Sequence, residues 1–184
     1  MKRTFDFFVS ACGLIVLMPF MLIIAWFVAR SSPGGVLFVQ TRIGKFEKPF
    51  RCYKFRTMAH GAPSAGSHEV DDSWITPTGR RLRSSKLDEL PQLFNVLRGD
   101  MSLVGPRPCL PNQSEVIAAR RARDVFRIRP GITGPAQLAS IDMSTPEKLA
   151  EADASYIENQ TFTGDLRIVA ATVLGAGSGD AANR

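Results

Sequence analysis

Two adjacent carboxylates, Asp88 and Glu89, stand in the stretch SSKLDELPQLFN, directly behind a cationic run, GRRLRSSK. That run supplies Arg80, Arg81, Arg83 and Lys86. Three further motifs add Lys54 and Arg56 (YKFRTM), Arg107 (GPRP), and Arg127 and Arg129 (RIRPGITG). An ionised carboxylate can act as a nucleophile, as a base or as a ligand of a hard cation. Surrounded by Arg and Lys, it suits a diphosphate bridged to it by a magnesium ion, Mg2+. Standing alone, the pair would be no more than acidic residues in the first turn of a helix, where free amides and the dipole favour the ionised form. Adjacent helical residues diverge by about 100°, so the two side chains need not share one task.

A helix must hold the pair. SSKLDELPQLFNVLRGD predicts one from near Ser85 to Leu97, ending before Gly99. Ser85 and Asp88 are spaced as a capping box; alternatively Asp88 is itself the N-cap, with Pro91 in the first turn. Upstream, VLFVQTRIG and PFRCYKFRTM read as strands separated by the turn KFEKP. Residues 59–79 are small, polar and rich in Gly and Pro, and read as a mobile loop carrying His60 and His68 as solvated residues. GDMSLVGPRPCLP is too rich in Pro and Gly for regular structure, and RPGITGPAQL is turn-rich. NQSEVIAARRARDVFRI reads as helix. STPEKLAEADASYIEN does too, with Ser or Thr as N-cap, Pro146 in the first turn and Glu147 nearby. DLRIVAATVLG is a last short helix with few charges, suited to lie against a membrane. GAGSGDAANR is a polar tail, predicted to be disordered.

The N-terminus carries the clearest physical signal. From Phe7 to Ala29 no residue is charged. As a straight helix these roughly 23 residues reach about 35 Å, enough for a bilayer core. The run is too long for a typical signal peptide, and no A-x-A site closes it. Pro19 near its middle removes one backbone hydrogen bond. Positive charge flanks both ends, Lys2 and Arg3 before and Arg30 after, which places both ends in the cytoplasm. A break at Met18–Pro19 would leave two arms of roughly 15–18 Å that dip into one leaflet and return. The alternative is a kinked span.

The 184 residues suffice for one domain with a sizeable core, and the net charge of +6 favours anionic partners. Three widely spaced cysteines without CxxC argue against a disulfide framework or a zinc site. No GxGxxG and no Walker loop occur, which argues against a standard nucleotide fold.

Four segments together resemble the small bacterial sugar transferases, the monotopic phosphoglycosyl transferases. They are KRTFDFF, VLFVQTRIGKFEKPFRCYKFRTM, LRSSKLDELPQLFNVLRGDMSLVGPRP and RPGITGPAQL. The resemblance runs from the N-terminal helix to about Leu174 and implies an α+β architecture. Residues 1–30 form a re-entrant membrane helix broken near Met18–Pro19. Residues 31–174 form a small, mainly helical catalytic domain with short strands and amphipathic interfacial helices. Residues 175–184 are the tail. The implied reaction transfers a phospho-sugar from a UDP-sugar to a polyprenol (undecaprenyl) phosphate, releases UMP and initiates glycoconjugate assembly. The implied place is the cytoplasmic face of the bacterial inner membrane. Asp88 matches the family's nucleophile, which forms a covalent phospho-sugar enzyme and meets Mg2+; Glu89 matches the dyad's second member. Arg83, Lys54, Arg56, Arg107 and Arg129 match basic positions expected to bind phosphates. LASIDMSTPEKLAEAD is similar to members acting on N-acetylated 6-deoxy amino sugars.

Two positions depart from the family pattern. Met18 stands where Ser commonly precedes the proline, so the re-entrant geometry rests on Pro19 and the flanking charges. Pro135 stands where an aromatic residue often follows GITG. The main rival reading is a membrane-anchored basic module that binds anionic lipid or nucleic acid. It explains charge and anchor but not the LDE motif, and no aromatics interleave with the basic runs as a nucleic-acid stacking platform needs. An ordinary glycosyltransferase, releasing UDP, is disfavoured by the small size and the missing nucleotide fold. Nucleic acid is therefore not an expected partner; a homo-oligomer is compatible with the sequence without being required by it.

Overall fold

A computed structural model describes residues 1–62 and 71–175. The expected mobility of 63–70, the reading of His68 and the expected disorder beyond 175 lie outside the described residues. The chain opens with a long helix, α1 (Lys2–Ser31). An antiparallel hairpin follows, β1 (Leu37–Ile43) and β2 (Pro49–Phe55), with Gln40 opposite Cys52 and Phe38 opposite Lys54. Its connection turns through left-handed Phe46 and Glu47. Then come α2 (Pro77–Ser84), α3 (Gln92–Arg98), β3 (Ser102–Val104) and α4 (Ser114–Ala122). The last elements are β4 (Gly131–Thr133), α5 (Pro135–Leu138), α6 (Pro146–Glu158) and α7 (Phe162–Val173). The fold is α+β, as expected.

Several boundaries differ from the sequence reading, each for a local reason. The helix expected from Ser85 to Leu97 is two elements. Ser85 is the C-cap of α2, and Lys86 turns the chain through the left-handed region at φ 57°. Leu87–Glu89 then form one 3-10 turn before Pro91 starts α3. Neither Ser85 nor Asp88 caps the helix behind it. GDMSLVGPRP and RPGITG do hold regular structure: β3 and β4 pair in parallel, Ser102 opposite Gly131 and Val104 opposite Thr133. Glycine permits the pairing, because a Cβ on Gly131 would lie 2.1 Å from the Gly105 nitrogen. The loop reading of 59–79 fails at its C-terminal end. Asp72–Trp74 form a 3-10 turn, Ile75 bridges Met58, and Thr76 caps α2 by accepting from Gly79 N at 2.9 Å.

Pro19 lies inside α1 without ending it. The helix runs on past Met18–Pro19, so the expected break is not observed there; one missing amide leaves the rest of the ladder intact. One face of α1 is exposed and apolar, including Phe8, Ile15, Val16, Leu22 and Trp26. It is a helix long and apolar enough to cross a membrane.

The N-terminal end of α1 is bolted to the domain by its charges. Lys2 Nζ meets Asp165 at 2.5 Å. The Arg3 guanidinium donates to the carbonyls of Val96 and Leu97, closing the last turn of α3. Buried Asp6 accepts from Ser102 Oγ at 2.8 Å and Leu103 N at 3.2 Å. Further along, Leu14, Met21, Ile24 and Val28 enter a core cluster with Phe55 and Leu82. A second cluster gathers Val96, Met101, Val104 and Tyr156, and a third Cys109, Val116, Ala136 and Leu149. Asn95, wholly buried in α3, ties it to β2 by donating to Arg51 O at 2.7 Å and accepting from Tyr53 N at 3.1 Å.

A buried ion pair joins α4 to α6. Arg120 and Asp153 are each 1% exposed and meet at 2.7 Å. Removing one partner strands a charge in the core, which costs about 3–5 kcal/mol, whereas replacing both by apolar groups is far milder. Chemical denaturation of Arg120→Met is therefore expected to show a loss of that order, with most of it recovered in Arg120→Met/Asp153→Leu.

Candidate active site

The acidic pair owes its place to leucines. Leu87, Leu90 and Leu93 pack onto the cluster that contains Met21, Ile24 and Val28 of α1. That contact pins the 3-10 turn from below and leaves Asp88 and Glu89 to face a cavity of about 710 Å³. The turn KLDELPQL is thus held by apolar residues around its two acids, against α1 itself.

Glu89 is engaged through one of its oxygens. One oxygen, Oε1, accepts from Lys54 Nζ at 2.7 Å and from Arg107 Nη2 at 3.0 Å. Burial pulls its pKa up, but Arg107 and Lys54 outweigh burial and hold it at about 2. Asp88 differs. It is 8% exposed, and no residue among those described hydrogen-bonds its carboxylate. Burial pushes its pKa up to about 6; Lys54, Arg107 and Arg83 pull it down and Glu89 raises it further. The expectation that a helix N-terminus keeps both groups ionised is corrected here. The turn ahead of α3 supplies no such dipole to Asp88, and the two acids are driven apart in strength by their surroundings.

The other expected site residues divide. Lys54, Arg56, Arg83 and Arg107 all line the cavity. Arg56 leans on the chain after α1, donating to Ser32 O at 2.6 Å and Pro33 O at 2.9 Å. Arg83 Nε donates to Thr57 Oγ1 at 3.0 Å. Arg107 is supported from behind, where Arg120 Nη1 donates to its carbonyl at 2.7 Å. Arg129 does not join them. Its Nε donates to Gly99 O at 2.7 Å, and it is no part of the cavity wall. Its position beside β4 makes it a clasp on the end of α3, outside the cavity that the other four cations line. Pro19 is likewise remote from the cavity lining.

Sequence reasoning missed Gln40, Arg42, Gln113 and Gln137, which also line the cavity. Arg42 donates to Pro108 O at 3.0 Å and Gln40 Oε1 at 2.7 Å; burial and neighbouring Arg107 pull its pKa below the ordinary value. The signal for the first two was available. Phe38, Gln40 and Arg42 alternate along β1, and so share one face of the hairpin. Gln113 and Gln137 sit beside a turn and on a short helix, where no periodicity marks them.

The donor set suits one kind of metal. Among the described residues no group of three His, Cys, Asp or Glu converges. A cage made wholly of protein ligands is therefore a poor match. Among the described residues Asp88, Glu89 and Asp142 line the cavity; Glu89 is tied to Lys54 and Arg107, and Asp88 beside it fits a small hard cation that completes its shell with water and substrate phosphates.

The raised Asp88 pKa carries a stability cost with a defined sign. A carboxyl whose folded pKa lies above its ordinary 3.8 favours the folded state below that value and loses the advantage as pH rises through about 6. Asn never ionises. In metal-free, substrate-free protein, Asp88→Asn is expected to be more stable than wild type at pH 8 by about 2–3 kcal/mol, the gap closing towards pH 4. Thermal unfolding across that range checks it.

Comparisons with known proteins identify the family. The family model described as bacterial sugar transferase matches residues 1–178. An uncharacterised sugar transferase of Bacillus subtilis is 41% identical over 94% of this chain and 85% of its own length. The UDP-glucose:undecaprenyl-phosphate glucose-1-phosphate transferase of Caulobacter vibrioides is 39% identical over 94% of this chain and 68% of its own. The UDP-N-acetylgalactosamine-undecaprenyl-phosphate N-acetylgalactosaminephosphotransferase of Aeromonas hydrophila is 36% identical, with 94% of this chain matching 42% of that longer protein. With the matched region taking in α1, the acidic turn and the whole cavity wall, the chain belongs to the bacterial sugar transferase family.

Proposed function

We propose that this phosphoglycosyl transferase moves a sugar 1-phosphate from a UDP-sugar to undecaprenyl phosphate through a covalent intermediate on Asp88. The observation that carries the reading is the asymmetry of the acidic pair. Glu89 is locked between Lys54 and Arg107, while the Asp88 carboxylate opens to the cavity without a partner among the described residues. The names of the relatives support the acceptor: those of Caulobacter vibrioides, Aeromonas hydrophila and Salmonella typhimurium all act on undecaprenyl phosphate.

In the first step an Asp88 oxygen attacks the phosphorus next to the sugar. The Asp88 O–P bond forms, the bond between the two phosphates breaks, and UMP leaves with the electron pair. In the second step an oxygen of undecaprenyl phosphate attacks the same phosphorus and frees the Asp88 carboxylate. Two easier displacements replace the direct meeting of two anionic phosphates. Lys54, Arg83 and Arg107 bind and neutralise the diphosphate, and Arg56 extends the same cationic wall. Glu89, ionised and bonded, holds Lys54 and Arg107 at the working distance. Mg2+, held by Asp88 and the donor's phosphates, would supply further charge neutralisation at the phosphorus.

We further propose that α1 dips into the cytoplasmic leaflet of the bacterial inner membrane with both ends on the side of the catalytic domain. Lys2, Arg3 and Asp6 bond to that domain, and Ser31 leads directly into it. A straight span would tear the first set of bonds apart.

The nucleotide product tests the reaction. UMP released from a UDP-sugar in the presence of undecaprenyl phosphate is the expected result; UDP as product would refute it. Asp88→Asn is expected to lose at least about a thousandfold in turnover and to form no phospho-sugar adduct by intact-protein mass spectrometry. For the anchor, a cysteine at exposed Thr4, in a Cys12→Ser background, should be shielded from an impermeant thiol reagent applied to the periplasmic side. Labelling there would overturn the re-entrant reading.

A further inference from the structure

Two glutamines line the cavity, and each has one end of its amide already committed. Gln113 Oε1 accepts from Leu110 N at 2.8 Å. A backbone N–H can only donate, so this bond fixes the amide's orientation and leaves Gln113 Nε2 as a donor. Gln137 shows the opposite arrangement. Its Nε2 donates to Ile132 O at 3.3 Å. A carbonyl can only accept, so Gln137 Oε1 is left as an acceptor. That oxygen is buried and has no hydrogen-bond partner. Such an atom costs about 1–3 kcal/mol unless something arrives to satisfy it.

The two amides stand on common ground, away from Lys54, Arg56 and Arg83. Val116 and Ala136, close in sequence to Gln113 and Gln137, share one buried cluster. Phe55 and Leu82, next to Lys54, Arg56 and Arg83, belong to another. One stretch of the cavity wall is therefore marked by Lys54, Arg56 and Arg83, and another by the two amides, with Ser140 and Asp142 lining the same cavity. A nucleotide-sugar is polarised in the same way, anionic at its diphosphate and neutral but rich in hydroxyls at its sugar.

We infer that Gln113 and Gln137 read the sugar of the donor. Gln137 Oε1 accepts from a ring hydroxyl or an acetamido N–H, and Gln113 Nε2 donates to a hydroxyl oxygen or an acetyl carbonyl. The class of sugar that fits is an uncharged hexose or N-acetylhexosamine. A uronic acid would set a carboxylate, which has no proton to give, against an acceptor. The inference rests on the phospho-sugar transfer proposed above.

The test uses the full chain in nanodiscs with UDP-glucose, UDP-N-acetylglucosamine, UDP-N-acetylgalactosamine and UDP-glucuronic acid. UMP release gives kcat/KM, and competitive inhibition by UDP, which lacks the sugar, gives a Ki. Gln137→Met and Gln113→Met, both checked for wild-type thermal unfolding, are each expected to lower kcat/KM for the best donor roughly 10- to 100-fold and to flatten the preference among donors. The UDP Ki should stay within about twofold, and wild type should disfavour UDP-glucuronic acid. Because the two substitutions lie on separate elements, either one suffices if the other fails to fold. The inference is overturned if kcat/KM stays within about twofold in the folded variants, or if the UDP Ki worsens in step with it. No UMP from any donor with wild type would instead sink the reaction on which it rests.

Discussion

One carboxylate oxygen, Glu89 Oε1, holds the site together. It accepts from Lys54 on β2 and from Arg107 in the turn after β3, elements otherwise separated by more than fifty residues of chain. Two cations so close repel each other, and each would be costly to bury alone. The anion between them makes their proximity tolerable. The same bonds occupy one oxygen of Glu89, while among the described residues none makes an ion pair with its neighbour Asp88. Difference within the pair is therefore a product of where the cations are anchored, not of the two residues' chemistry.

Support for that bridge extends outward in layers. Arg120, paired with Asp153, holds the carbonyl of Arg107 from behind. Asn95 fixes α3 against β2, and so fixes the acidic turn against Lys54. Leu87 and Leu90 sink into the cluster built by α1. A cationic site meant for an anionic ligand repels itself when empty, and such bracing is what keeps it formed.

Much of this was legible in the sequence, and the exceptions have physical causes. The hairpin was readable because Leu37–Ile43 and Pro49–Phe55 carry strand-forming residues around a compact turn. Helices α6 and α7 announced themselves by Pro146 and by an apolar run. The acidic turn was misread because LDELPQLF has helical composition throughout; only left-handed Lys86 shows that the helix stops and restarts there. The strands β3 and β4 were missed because glycine and proline there serve close backbone approach, which composition cannot distinguish from a loop. Arg129 was grouped with the phosphate-binding cations because charge in a motif does not reveal direction, and its guanidinium turns towards Gly99. Lys2 and Arg3 were read as topological signals, whereas both charges are spent on contacts with α7 and α3.

The cluster beneath the acidic turn has a bearing on how such an enzyme can be handled. Met21, Ile24 and Val28 of α1 share their packing with Leu87, Leu90 and Leu93. Helix α1 thus backs a wall of the cavity as well as being long and apolar enough to cross a membrane. Cutting it away to obtain a water-soluble fragment would uncover Phe55, Leu82 and the three leucines together, an apolar patch directly under Asp88. The catalytic part is not a module that a tether happens to carry. Solubilisation by truncation and preservation of the site are opposed goals, and lipid or detergent around an intact α1 is the medium in which the chamber is whole.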